Sequence, residues 1–282
     1  MADNTIGGRA AVIGGGTMGA GIAQVLLEAG CDVVVVEADP DAAERARRRV
    51  VEGLGRRKNV VPEELEARAG RLQVLTSLDG PLDVDLAVEA IPEIPDLKRS
   101  LLARTEKAIG PGALLASNTS SLPITDLAEA LERPERFCGM HFFNPVPLSA
   151  LVEVVTGKGT GPDAVADARA WVARLGLESI VVRDSPGFAT SRLGVALGLE
   201  AIRMVEEEVA TPEDIDTGMV LGYRHPMGPL RLTDLVGLDV RLAIAEHLAA
   251  TLGPRFDPPA LLRRKVEAGD LGKKAGRGFY DW

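Results

Sequence analysis

The chain has 282 residues and a formal net charge of −9; 46% of its residues are hydrophobic and 26% are charged. This composition is typical of a globular protein large enough for two domains, and it excludes wholesale disorder. The acidic balance disfavours nucleic acid and anionic membranes as general partners.

Short apolar runs alternate with helical patterns through the first two thirds of the chain. Strands are predicted at residues 9–13, 32–37, 72–75, 85–88, 113–116, 137–143, 151–155 and 179–182. Helices are predicted at residues 17–29, 41–53 and 95–109. Such alternation is typical of βαβ units around a parallel sheet.

The pattern changes after Asp184. One long helix is predicted at residues 188–208, and a further helical segment, interrupted by Gly237, at residues 235–252. No strand is predicted after Val182. The sequence therefore predicts an α/β domain over residues 1–184 and a smaller, all-helical domain over residues 185–282.

A G-x-G-x-x-G turn follows the first predicted strand and opens the first predicted helix. In such a turn Gly14 permits the tight bend, Gly16 lets a pyrophosphate approach the backbone, and Gly19 lets the helix pack on the sheet. Glu37 ends the next strand, where a carboxylate can bind both ribose hydroxyls and would repel a 2′-phosphate. These features favour NAD over NADP. The alternative is a structural turn beside an ordinary acidic strand end.

A histidine and a glutamate form the second candidate site. His141 ends an apolar segment, and Glu153 lies in the next strand with Val and Leu on both sides. A carboxylate is costly to bury unless it is paired, and His141 is the obvious partner. This pair suits a general base that takes a proton from an alcohol. The alternative is a core histidine and an edge-strand glutamate.

Seven segments spread over nearly the whole chain carry a family resemblance. They are VIGGGTMGAGIAQ, AVEAIPE, LASNTSSLPIT, HFFNPVPLSALVEVV, SPGFATSRL, GYRHPMGPLRLTDLVGLD and GKKAGRGFY. On these segments the chain resembles the 3-hydroxyacyl-CoA dehydrogenase family, in particular its short, monofunctional bacterial 3-hydroxybutyryl-CoA dehydrogenases. The HFFNPVP…LVEV segment is the most specific of the seven.

The resemblance implies an N-terminal, Rossmann-type NAD-binding domain with a mostly parallel sheet. It also implies a helical C-terminal domain that forms the contact of a homodimer. The implied reaction is the reversible NAD-dependent oxidation of an (S)-3-hydroxyacyl-CoA, of short chain such as 3-hydroxybutyryl-CoA, to the 3-ketoacyl-CoA. His141 is implied as the catalytic acid/base, Glu153 as its partner, and Ser120 as the residue that contacts the substrate oxygen.

The resemblance also implies binding residues, but no metal site. The implied cofactor-binding residues are Gly14, Gly16, Thr17, Met18, Gly19 and Glu37, with Glu93, Lys98 and Asn118 at the nicotinamide half. The implied substrate-binding residues are Ser120, Asn144 and Ser191. Glu37 matches the ribose-binding acid of the family, which is more often Asp. One position departs from the family pattern: Ser191 stands where many members carry Asn. Serine keeps a donor and an acceptor but has less reach.

A basic run near the second predicted helix offers sites for the phosphates of coenzyme A. Within it, we expect Arg56, Arg57 and Lys58 to contact these phosphates, against the net acidic charge of the chain. The alternative is a solvated helix face in which Glu44 and Glu52 pair with the arginines.

Other functions stay open at this stage. One is the oxidation of a free hydroxy acid, and another is catalytically silent NAD binding, since a fold does not determine function. A cytoplasmic location is expected, because Cys31 and Cys138 are too few for a disulfide framework and no signal peptide is visible. The apolar runs are too short to cross a bilayer, so no membrane partner is expected.

Overall fold

The computed structural model describes residues 8–57 and 60–282. The chain folds as two compact units, of which the first ends at Ser185 and the second begins at Pro186. Each unit has its own hydrophobic core.

The first unit is built on an eight-stranded sheet. Its strands are β1 (Arg9–Ile13), β2 (Asp32–Val36), β3 (Leu72–Leu75), β4 (Leu86–Glu89), β5 (Leu114–Ser117), β6 (Phe137–Phe142), β7 (Leu151–Thr156) and β8 (Glu178–Arg183). They lie in the order β3-β2-β1-β4-β5-β6-β7-β8. All neighbours are parallel except β6 and β7, which are antiparallel. The predicted Rossmann-type, mostly parallel sheet is confirmed.

In the described part of the first unit, six α-helices accompany this sheet. They are α1 (Thr17–Glu28), α2 (Pro40–Gly55), α3 (Pro62–Ala69), α4 (Pro95–Ala108), α5 (Ile124–Ala128) and α6 (Pro162–Arg174). The central strands are buried along nearly their whole length, as their near-continuous apolar sequences require. The chain runs outward from β1 in both directions, through β2 on one side and β4 on the other. Ligands of open α/β sheets bind at the carboxyl ends of strands at such a reversal.

The second unit is helical, as predicted. Its helices are α7 (Thr190–Glu206), α8 (Pro212–Thr217), α9 (Pro229–Val236), α10 (Leu238–Leu252) and α11 (Ala260–Glu267). The predicted helix at 188–208 is wrong at both ends, because Phe188 and Glu208 have positive φ values of 48° and 57°. Gly237, at φ 102°, separates α9 from α10 at the predicted interruption. Across residues 8–57 and 60–282, no helix is both long and apolar enough to cross a membrane.

A buried carboxylate anchors the last residues of the second unit. Asp234 is fully buried and accepts hydrogen bonds from the backbone N–H groups of Phe279 (2.8 Å) and Tyr280 (2.9 Å). It also accepts one from the indole Nε1 of Trp282 at 2.9 Å. Because three donors depend on one carboxylate, Asp234 is a main determinant of the stability of this unit.

Replacing Asp234 by asparagine is expected to lower the free energy of unfolding of the second unit by roughly 2–3 kcal/mol. The asparagine amide has only one acceptor oxygen. Its NH₂ group would face N–H donors that the second carboxylate oxygen of Asp234 accepts. Urea denaturation followed by tryptophan fluorescence measures the change. Asp239→Asn, which removes an exposed ion pair with Lys274, is the control and should cost under about 1 kcal/mol. Equal losses in the two variants would contradict the anchoring role.

Candidate active site

Antiparallel pairing places His141 opposite Glu153. The two residues are register partners in β6 and β7, and the imidazole Nδ1 lies 2.8 Å from the carboxylate Oε2. Glu153 is fully buried, and His141 is 7% exposed. The carboxylate holds the proton on Nδ1, which leaves Nε2 as the basic ring nitrogen. The structure thus brings together the two residues that the sequence suggested as an acid/base pair.

A second cluster lies at the carboxyl ends of β4 and β5. Glu89 and Ser117 are register partners, and the Ser117 hydroxyl donates to Glu89 Oε2 at 2.6 Å. Lys98, in the first turn of α4, donates from Nζ to Glu89 Oε1 at 2.6 Å and to the Ile91 carbonyl at 3.1 Å. All three side chains are buried. The predicted cofactor residue Lys98 is therefore part of a fixed network.

The loop after β5 connects this cluster to the histidine strand. Glu93 accepts hydrogen bonds from the Ser120 backbone N–H at 2.9 Å and from the Thr119 hydroxyl at 3.0 Å. Asn118 Oδ1 accepts one from the backbone N–H of Phe142, which directly follows His141, at 2.8 Å. Three of the predicted residues (Glu93, Asn118 and Ser120) thus share one hydrogen-bonded edge with the His141 strand.

The glycine turn has the shape of an anion site. A Cβ on Gly19 would lie 1.8 Å from the Gly14 carbonyl oxygen, so the turn and α1 are in close contact. A Cβ on Gly16 would meet no atom within 4 Å, and no side chain caps α1 at this residue. Glu37 Oε1 accepts the Gly15 N–H at 2.6 Å, which ties the turn to the end of β2. The open space and uncapped N–H groups fit a dinucleotide pyrophosphate.

Thr17 and Met18, also predicted to contact the cofactor, form the first turn of α1. Thr17 is exposed, and Met18 is partly buried against the sheet core. Their position at the open helix end is consistent with that prediction, which no contact in the structure tests.

A cavity of about 420 Å³ lies between α1, α2 and the segment after β6. Arg56, Arg57 and Asn144 are among its lining residues. Arg57 donates to both carboxylate oxygens of Glu28, at 2.8 and 2.6 Å, and not to Glu44 or Glu52, the partners that the sequence suggested. Arg56 pairs with Glu52 at 3.7 Å on the exposed face of α2. The arginines therefore border a cavity and also have carboxylate partners.

Lys58, which was also predicted to contact the phosphates, lies outside the described residues. Ser191 is the second residue of α7 in the second unit and is half-buried. The pairing of Glu89 with Ser117 was not predicted from the sequence. The one signal for it is that two consecutive predicted strands are followed by polar residues.

Two family profiles together match nearly all of the chain. The profile described as "3-hydroxyacyl-CoA dehydrogenase, NAD binding domain" matches residues 9–185. The profile for the C-terminal domain of 3-hydroxyacyl-CoA dehydrogenase matches residues 187–282.

Individual relatives are similar over almost their whole length. The chain is 44% identical to a probable 3-hydroxybutyryl-CoA dehydrogenase of Deinococcus radiodurans, over 96% of this chain and 99% of the relative. It is 42% identical to a 3-hydroxybutyryl-CoA dehydrogenase of Mycobacterium tuberculosis, over 97% and 98%. The crystal structure of (S)-3-hydroxybutyryl-CoA dehydrogenase from Ralstonia eutropha superposes with a TM-score of 0.91 at 39% identity, covering 97% of this chain and 98% of that one.

Proposed function

Because the chain belongs to the 3-hydroxyacyl-CoA dehydrogenase family, an NAD-dependent group of oxidoreductases, we propose that it oxidises (S)-3-hydroxybutyryl-CoA reversibly to acetoacetyl-CoA. The observation that carries this proposal is the buried His141–Glu153 pair at 2.8 Å. The choice of a short acyl chain is supported by the names of the relatives that match over their full length.

In the oxidative direction, His141 Nε2 takes the proton of the C3 hydroxyl as general base. Glu153 keeps the imidazole in the required tautomer and stabilises the imidazolium that forms. Ser120 places the reacting oxygen. In the reductive direction, the imidazolium returns the proton to the carbonyl oxygen.

The cofactor is NAD, which supplies the hydride acceptor when it is bound. Gly14, Gly16 and Gly19 leave room for its pyrophosphate at the start of α1, where Thr17 and Met18 follow. Glu37 holds the adenosine ribose. Glu93, Lys98 and Asn118 hold the nicotinamide half.

The test follows NADH absorbance with purified protein and acetoacetyl-CoA, in parallel with NADPH and with free acetoacetate. Rapid loss of NADH with the CoA ester alone is expected. Turnover of free acetoacetate at the same rate would support a dehydrogenase of free hydroxy acids instead. NADH binding without turnover of any 3-ketoacyl-CoA would indicate a catalytically silent protein.

Replacing Gly16 by valine is expected to weaken NADH binding by about 100-fold or more without lowering Tm, because the side chain would occupy the space meant for a pyrophosphate. The new Cβ meets no protein atom within 4 Å, so the fold tolerates it. Fluorescence titration with NADH and a thermal melt measure the two effects. Gly19→Val is the control: its Cβ would overlap the Gly14 carbonyl, and this variant should lose Tm. Unchanged NADH affinity in Gly16→Val would contradict the pyrophosphate assignment.

Arg56, Arg57 and Lys58 contact the phosphates of coenzyme A in this proposal. The cavity lined by Arg56, Arg57 and Asn144 supports it.

Replacing Arg56 by alanine is expected to raise KM for acetoacetyl-CoA by about 5- to 20-fold, the effect of one lost phosphate contact. The kcat should change little, since the phosphates are remote from the reacting carbon. Steady-state kinetics with acetoacetyl-CoA, and with its N-acetylcysteamine thioester as a phosphate-free control, separate the effects. An unchanged KM for the CoA ester in both Arg56→Ala and Arg57→Ala would contradict the phosphate contacts.

The second unit forms the contact of a homodimer. Support comes from apolar side chains left exposed on it, at intervals of one helical turn: Leu193 and Leu197 on α7, and Leu232 and Val236 on α9. Leu193 is 64% exposed. Apolar clusters of this kind are typical of protein–protein interfaces. Sedimentation velocity should show a species of twice the chain mass, and a monomer at micromolar concentration would contradict the dimer.

A cytoplasmic location completes the proposal. Cys31 and Cys138 are both free and buried, and burial raises the pKa of the Cys138 thiol to about 12. Unpaired cysteines are typical of proteins from reducing compartments.

A further inference from the structure

Glu89 is a buried carboxylate with a complete set of donors. It is 0% exposed. Its Oε1 accepts from Lys98 Nζ at 2.6 Å and from the Ile91 N–H at 2.7 Å, and its Oε2 accepts from the Ser117 hydroxyl at 2.6 Å. A charge at this depth is tolerated only when it is paired and hydrogen-bonded. The proposed acid/base chemistry does not use this carboxylate.

Two carboxylates compete for the single Lys98 ammonium. Its Nζ lies 2.6 Å from Glu89 but 3.5 Å from Glu93 Oε2. Glu93 is the more exposed of the two, and its oxygens bind the Ser120 N–H and the Thr119 hydroxyl. Since Lys98 is 1% exposed, it cannot exchange either partner for water. The contact with Glu89 therefore keeps the Lys98 ammonium from forming a closer ion pair with Glu93.

We infer that Glu89 is a positioning residue for the nicotinamide half of the cofactor site, acting through Lys98 and Ser117. This inference rests on the proposed function, which assigns Glu93, Lys98 and Asn118 to that half. Glu89 holds the ammonium and the start of the loop after β5 in one arrangement. That arrangement leaves Glu93 bound to the loop at Thr119 and Ser120.

The variant Glu89→Gln removes the charge while keeping the shape. A glutamine has one acceptor oxygen and an NH₂ group that cannot accept from Lys98, Ile91 or Ser117. The ammonium then moves toward Glu93, the remaining carboxylate. The hydrogen bonds that Glu93 accepts from the Ser120 N–H and the Thr119 hydroxyl then weaken. As a result, the nicotinamide half of the site loses its fixed geometry.

The test compares NADH with ADP, which lacks both the nicotinamide and its ribose. Both ligands carry the adenosine and the two phosphates, which the glycine turn and Glu37 hold in the proposed function. For Glu89→Gln we expect Kd for NADH to rise by about 10-fold or more, and Kd for ADP to stay within about twofold. Isothermal titration calorimetry on the full chain measures both constants without requiring turnover.

Glu106 is a matched control on the same helix. It is 4% exposed and accepts the backbone N–H groups of Glu132 at 2.8 Å and Arg133 at 2.7 Å. It lies two turns further along α4 than Lys98, which separates the two positions by about 12 Å along the helix axis. Glu106→Gln also weakens a buried carboxylate network, but it should leave both ligand affinities unchanged.

Ser117→Ala keeps the inference testable if Glu89→Gln does not fold. It removes one of the three donors to Glu89, and we expect Kd for NADH alone to rise by about threefold. Equal losses for NADH and ADP, no loss for either, or the same NADH-selective loss in Glu106→Gln would each overturn the inference. A different outcome would refute the proposed function and leave this inference intact. In that outcome the variants lose affinity for NADH selectively, but the wild-type protein does not reduce acetoacetyl-CoA.

Discussion

Replacing His141 by glutamine is expected to lower kcat for acetoacetyl-CoA reduction by about 10²- to 10⁴-fold, the contribution of a positioned general acid/base. Glutamine can keep the contact with Glu153 by donating from its amide NH₂. It has no group that gains or loses a proton near neutral pH. The rate should fall because proton transfer to the carbonyl oxygen loses its donor, and Kd for NADH should stay within about twofold.

The measurement pairs steady-state NADH consumption with fluorescence titration of NADH. His247→Gln, an exposed position on α10, is the control and should retain full activity. A His141→Gln enzyme with more than about a tenth of the wild-type kcat would exclude His141 as the acid/base. A loss of NADH affinity equal to the loss of rate would indicate a damaged cofactor site instead.

Replacing Glu153 by glutamine has the second-largest expected effect. The neutral amide no longer stabilises an imidazolium, and its NH₂ group favours the tautomer with a bare Nδ1. We expect kcat to fall by about 10²- to 10⁴-fold, as in other His–carboxylate pairs that lose their charge. KM for acetoacetyl-CoA should change little, because the carboxylate acts through the imidazole.

Glu153→Asp separates charge from position. The shorter side chain keeps the charge but draws back from Nδ1, so kcat should recover part of the loss seen with glutamine. Steady-state kinetics from pH 5 to 9 compare the three enzymes, and circular dichroism confirms that they fold. If Glu153→Gln kept wild-type activity, the glutamate would be a structural residue of β7 only.

Local sequence patterns predicted much of the fold. The first strand, the glycine turn and the first helix are contiguous in the chain, so periodicity and turn chemistry predicted them within a few residues. The prediction failed at Phe188, because helical periodicity carries no signal for the positive φ of that residue. The α/β unit and the helical unit were both predicted from such contiguous signals.

In the candidate site, too, some contacts could be predicted from the sequence and others could not. The pairing of His141 with Glu153 could be suggested because a lone carboxylate in an apolar strand needs a partner, and His141 lies in the preceding strand. The catalytic and binding roles of these residues stay predictions. The link between Glu89, Lys98 and Ser117 could not be worked out from spacing, since it depends on which strands are neighbours.

From its sequence alone, the protein was identifiable as a Rossmann-type dinucleotide-binding chain of a particular dehydrogenase family, with a histidine and a glutamate as its candidate acid/base pair. Residue types and short-range spacing indicate the dinucleotide-binding turn and the acid/base pair, and the resemblance of seven motifs indicates the family. The tertiary structure alone showed that Arg57 binds Glu28 and that Glu89 receives three donors. Such contacts join segments that are distant along the chain. The strand order of the sheet and the packing of α1 against α2 select them, and short-range sequence patterns predict neither.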